Sequence, residues 1–212
     1  MFYRSTKNFT TKPFTNALRN ITITISLALP ASYASANENA PAMDKATMMA
    51  MQKVMKSDMA LMKPDLQKQV KGLSKKTKME LMKILSAHTR RSKQLTLRQV
   101  MHEVLADYQS IASGLSTDNT EQAADSARRL ANHRLPLGGL IPYMAKDDVN
   151  DNRMASLVGF NDMVEGNALR LAEAADKGNV NAAANYLGKI MEGCVACHQT
   201  FRGQPGKSNR LR

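Results

Sequence analysis

Tryptophan is missing from this 212-residue chain, and phenylalanine and tyrosine supply only five residues each. Surfaces that stack on exposed bases draw on aromatic rings. The basic balance of the chain, 30 Lys and Arg against 18 Asp and Glu, is therefore not read as a nucleic-acid footprint. Cysteine is scarcer still, with two residues. A structural zinc site usually takes four nitrogen or sulfur ligands. The chain offers two thiols and His88, His102, His133 and His198, with no second paired cluster, which counts against zinc. No segment shows the strict alternation of a half-buried strand. Beyond residue 36 no apolar run is long enough to cross a bilayer as a helix. No grouping of acid, base and nucleophile stands out, so an enzyme is not expected.

What the chain does contain is Cys194-Val195-Ala196-Cys197-His198. C-x-x-C-H is the attachment pattern of a c-type haem. The two thiols are spaced to add to the two vinyl groups of one porphyrin, and the adjacent histidine faces the iron. A thioredoxin-like redox pair would open a helix in a βαβ setting. This motif instead falls near the end of a helical stretch with no strand pattern before it. A plain disulfide outside the cytoplasm is the other competing use of the pair.

Haem attachment of this kind takes place outside the cytoplasm, and the N-terminus reads accordingly. Arg4, Lys7, Lys12 and Arg19 precede a short apolar run over 21–29, and small residues follow up to Ala34 and Ala36. This is the pattern of a secretory signal peptide. Residues 1–36 are assigned to it, which implies a periplasmic protein, soluble after cleavage. An uncleaved anchor is the alternative.

Charge divides the remainder. Residues 37–100 carry a balance of +9, whereas residues 101–212 sum to −1. The basicity belongs to an N-terminal extension, not to the part that holds the motif. The reading is thus a signal peptide (1–36), a basic methionine-rich helical extension (37–95), a helical domain (96–204) and a basic tail (205–212).

Within 96–204 the apolar spacing predicts four helices. Thr96 is expected to cap the first, which runs to about Ser113 with Gly114 as its C-cap and Leu97, Val100, Met101, Val104, Leu105, Tyr108 and Ile111 on one face. Thr120 is expected to cap the second, to about His133. The apolar loop 134–143 is broken by Pro136, Gly138, Gly139 and Pro142, and is expected to fold over a bundle end or a cofactor edge. A third helix is predicted over about 152–176. In the fourth, about 180–202, the stripe of Ala183, Leu187, Ile190 and Met191 continues through Cys194, Cys197, His198 and Phe201 within an arc of roughly 140°. Short connections favour antiparallel neighbours, hence an all-α, up-down four-helix bundle with an extra N-terminal helical extension.

With the haem motif on the last helix of four, the chain resembles a class II c-type cytochrome, the cytochrome c′ family. The resemblance covers 96–204 and leaves 37–95 unmatched. It implies one covalently bound haem c, thioether bonds from Cys194 and Cys197, and iron ligation by His198. It also places Arg202, one turn beyond His198, near the haem propionates; a solvated helix-end cation is the plainer reading of that residue. In the low-spin branch a methionine of the first bundle helix takes the sixth position, and Met101 stands there in Thr96-Leu-Arg-Gln-Val-Met101. A His/Met pair implies a one-electron carrier that meets a redox partner protein. An apolar cap instead of Met101 would leave five-coordinate iron that binds NO or CO. His102 points about 100° away and is a poor substitute. The resembled family also implies a homodimer as a partner.

Residues 43–62 hold seven methionines, Met43, Met48, Met49, Met51, Met55, Met59 and Met62. Five of them share a stripe about 80° wide on a helix, with Lys45, Lys53 and Lys56 outside it. Pro64 ends this helix, and 74–92 reads as a further basic helix. Three uses compete: an amphipathic helix docking on the bundle or on a copy of itself, a basic surface for an anionic membrane or acidic protein, and soft-metal capture by thioethers. The last two define a third functional class, a metal-handling or membrane-docking interaction protein.

Overall fold

The computed structural model describes residues 45–201 and Arg210, which fall within one compact unit, Ala42–Arg212. The expected signal peptide lies outside the described residues, as do Met43, Arg202 and, apart from Arg210, the tail. The described residues are mostly helical and include no strand; an isolated bridge joins Arg91 and Leu135.

Three helices build the extension: α1 (Lys45–Leu61), α2 (Pro64–Gly72) and α3 (Lys75–Ala87). Pro64 opens α2, at the one turn where its missing N–H costs nothing. Ser74 caps α3 by accepting from the Thr77 N–H at 3.1 Å. The extension has no core to itself. Met55, Met62, Leu66, Val70, Leu73 and Leu81 form one buried cluster with Ile141, Met144, Val149, Met154, Leu157 and Phe201 from the following region. The methionine stripe therefore docks on the rest of the chain. Met51 and Met59 are half-buried, while Met48 and Met49 stay exposed.

Beyond it come α4 (Leu97–Ser116), α5 (Thr120–Ala131), α6 (Asp151–Asn161), a π turn (Asp162–Gly166), α7 (Asn167–Asp176) and α8 (Val180–Thr200). Thr96 caps α4 in a reciprocal capping box with Gln99. Three boundary expectations are corrected. The helix expected over 74–92 ends at Ala87, where His88 leaves the helical conformation. The cap of α5 is Asn119, one residue before Thr120, through Oδ1 accepting from the Gln122 N–H at 3.0 Å. Gly114 does not end α4, which continues to Ser116. Its Cβ would lie 2.9 Å from the Ala123 nitrogen and the Asn119 oxygen, so glycine is there to let α5 approach.

α4 packs on α5, α5 on α7, α7 on α8, and α8 returns to α4. Arg134–Glu103 (3.1 Å) and Arg129–Asp107 (2.9 Å) pair in reverse order, so α4 and α5 run antiparallel. His133–Glu165 and Arg128–Asp176 show the same for α5 against the π turn and α7. Between these helices lies a second buried cluster, with Ile111, Leu130, Leu171 and Ile190 at its centre. Each such side chain contributes about 1.5–3 kcal/mol when fully buried. Alanines at 123, 127, 168, 172, 175 and 183 keep the axes close.

The loop over 134–143 does fold onto apolar surface, but that surface is the extension's core, through Leu140 and Ile141. Gly139, at φ +77°, passes so near α1 that a Cβ would sit 3.1 Å from a carboxylate oxygen of Asp58. Asp58 is itself buried and paired with Arg91.

Candidate functional site

The C-x-x-C-H segment occupies the last two turns of α8. Asn179 Oδ1 caps that helix on the Ala182 N–H at 3.1 Å. At the far end the Phe201 N–H donates to the Cys197 carbonyl at 2.8 Å. Phe201 packs edge-on against Phe160, centroids 6.0 Å apart. Gly193 sets the depth of α8. Its Cβ would fall 2.8 Å from Val164 Cγ2 and 2.9 Å from Met163 Cβ, so the helix rests directly on the π turn.

Both thiols are free and half-buried, and they touch different cores. Cys194 packs against the cluster of α4, α5, α7 and α8, whereas Cys197 packs against the cluster of the extension and α6. Burial pushes the Cys194 thiol above its ordinary value. Burial, with Cys194 and Glu165 close by, pushes Cys197 up to about 11. Both are therefore neutral S–H groups at pH 7, not reactive thiolates of the redox-enzyme kind.

The expected inward stripe of α8 is narrower than the periodicity implies. Ala183, Ile190 and Gly193 are buried, but Met191 is 42% exposed, Val195 47%, and His198 is exposed. The same holds on α4. Val100 and Ile111 are buried, Met101 and Tyr108 half-buried, and Leu105 is 48% exposed. The reason is geometric: α5 and α7 cover only one side of each helix, leaving apolar side chains beyond that cover. The two helices meet near Tyr108 on α4 and Cys194 on α8, where burial, and then Cys194, raise the Tyr108 hydroxyl above its ordinary value. Met101 and His198 thus stand on two helices that pack together. His102 is exposed beside Met101, and Arg202 lies outside the described residues.

A second constellation was not legible as such in the sequence. His88 just beyond α3, His133 just beyond α5 and Glu165 in the π turn present three ligand atoms within 4.8 Å of one another. Glu165 Oε1 lies 3.4 Å from His88 Nε2 and 3.2 Å from His133 Nε2. The two rings are 4.6 Å apart, tilted by 56°. Burial alone would raise the Glu165 carboxyl, but the two neighbouring imidazoles outweigh it and hold the group below the usual range. Burial likewise pushes His88 down, and the neighbouring Glu165 carboxylate more than reverses that, so it is raised. A signal did exist. His88 extends the buried spacing of Leu81 and Leu85, and His133 that of Ala127 and Leu130, so each ring falls on a core-facing position at a helix end.

Comparison with protein-family models, with curated proteins and with solved structures finds no match.

Proposed function

We propose that this protein is an exported monohaem c-type cytochrome that carries single electrons. The observation that carries the proposal is C-x-x-C-H on α8 with a strip of exposed apolar side chains beside it. Met191 and Val195 on α8, and Leu105 on the α4 helix packed against it, are the groups that an apolar cofactor would cover. Neutral, half-buried Cys194 and Cys197 beside that strip fit thioether attachment, and His198 on the same helix fits axial ligation. On this reading helices α4, α5, α6–α7 and α8 are the four-helix bundle, and side chains of α4 and α8 would hold the group. Met101 on α4 would supply the sixth ligand, and the family resemblance gives Arg202 a role toward the propionates. When bound, the haem supplies one-electron redox chemistry at a potential raised by a His/Met pair. The chain's own part is to hold the ligands, exclude water with Leu105, Tyr108 and Val195, and leave an edge open to a redox partner. Export to the periplasm accords with the N-terminal sequence, and no described helix is long and apolar enough to cross a membrane.

The test is the full chain expressed in a host with a haem-attachment system. Intact mass should rise by one haem, and a Soret band should appear. Ferric protein should be low-spin, and Met101→Ala should convert it to high-spin iron that takes up CO after reduction. No haem mass overturns the proposal. A wild type that is already high-spin and binds CO replaces the carrier with a gas-binding cytochrome.

A further inference from the structure

We propose that His88, His133 and Glu165 form a binding site for one divalent zinc-like metal ion, separate from the haem motif. The case rests on hydrogen placement. His88 Nδ1 lies 2.9 Å from the Ile84 carbonyl oxygen, and His133 Nδ1 lies 2.8 Å from that of Arg134. A carbonyl only accepts, so each Nδ1 carries a hydrogen, and each Nε2 is the ring nitrogen turned inward. Both Nε2 atoms face one carboxylate oxygen, which is an acceptor. Two imidazole nitrogens and a carboxylate oxygen meeting at one point share a cation, either a proton or a metal ion. His88 sharpens the point: it is 4% exposed, and its Nε2 is a buried nitrogen with no hydrogen-bond partner.

The dimensions suit a metal. Tetrahedral zinc with bonds of about 2.05 Å sets its ligands about 3.4 Å apart. The two Nε2–Oε1 separations, 3.4 and 3.2 Å, match that edge. A hydrogen bond from each Nδ1 to a backbone carbonyl is the outer support that fixes the tautomer of a ligating histidine. Two imidazoles and a carboxylate suit zinc and its neighbours rather than calcium or magnesium, which take oxygen. Three protein ligands leave the fourth position for water. Glu165 projects from the π turn, a helix irregularity that recurs at functional sites. An ion here would tie the end of α3, in the extension, to the end of α5 and to the π turn.

The experiment uses the full chain with its haem attached, stripped with a chelator, dialysed against Zn2+ and analysed for zinc and iron by mass spectrometry. One retained zinc per chain and a higher melting temperature are expected, with the Soret band unmoved. His88→Gln and Glu165→Gln should each bind zinc at least tenfold more weakly while keeping wild-type circular dichroism. No retained zinc, or equal retention by both variants, overturns the site and leaves an imidazole–carboxylate ion pair only. A Soret or spin-state change in His88→Gln also overturns it, by assigning that ring to the haem. Zinc bound in a chain that carries no haem would sink the cytochrome proposal and leave this one standing, provided the triad variants lose it.

Discussion

Replacing Gly193 with alanine puts a methyl group into space already taken. The new carbon would stand 2.8 Å from Val164 Cγ2, 2.9 Å from Met163 Cβ and 3.1 Å from the Met163 carbonyl carbon. Non-bonded carbons prefer about 3.5–4.0 Å. Either Val164 rotates away or α8 lifts by about half an ångström or more, and overpacking of this kind costs about 1–3 kcal/mol. Alanine in a helix recovers about 1 kcal/mol relative to glycine. Gly188 on the same helix isolates that gain, because its Cβ would meet nothing within 4 Å. Gly188→Ala should therefore raise stability by about 1 kcal/mol, and Gly193→Ala should fall about 1–3 kcal/mol below it. At about 2–4 °C per kcal/mol for a chain of this size, the two melting temperatures should differ by about 2–12 °C. Thermal denaturation followed at 222 nm measures it. Equal increases for the two variants would show that α8 does not rest on the π turn, and the placement of Cys194 next to Gly193 would lose its basis.

Thr96→Ala removes the hydroxyl that accepts from the Gln99 N–H, and should cost about 1 kcal/mol while Thr96→Ser restores most of it; chemical denaturation of the three proteins decides. Asp151 ties α3 to α6, with its carboxyl held below the ordinary 3.8 by the Thr77 hydroxyl and then by the Ser74 N–H, the latter at 2.9 Å. A depressed native pKa gives stability that is fully present above about pH 4 and lost as pH falls through the native value. The melting-temperature gap between wild type and Asp151→Asn should therefore be constant from pH 7 down to about 4 and close below that.

Periodicity revealed what local spacing controls. The α4 face and its Thr96 cap could be read because a capping box and a stripe are written within a few residues of each other. Asn119 and Thr120 are both good caps, so the sequence left their choice to packing. Gly114 was misread because its use is close approach to α5, a tertiary fact, rather than a left-handed turn. Nothing in Asp162–Gly166 distinguishes a π turn from an α turn. The histidine–carboxylate triad was hidden for a plainer reason: its members lie 45 and 32 positions apart, and only the antiparallel run of α5 against α7 brings the last two together. The inward stripe of α8 was overdrawn because periodicity reports which side is apolar, not how much of that side a neighbour covers.

A ribosome releases Met55, Leu66 and Val70 long before Ile141, Met154 and Phe201, yet all six belong to one cluster. The other cluster waits equally for Ile190. Neither interior is complete until the final helix has emerged, so part of each apolar surface stays open until late in synthesis. A chaperone that shields the early methionine helix, or a fast passage through a translocation channel in unfolded form, would spare it from aggregation. The fold is thereby locked from its last turns backward.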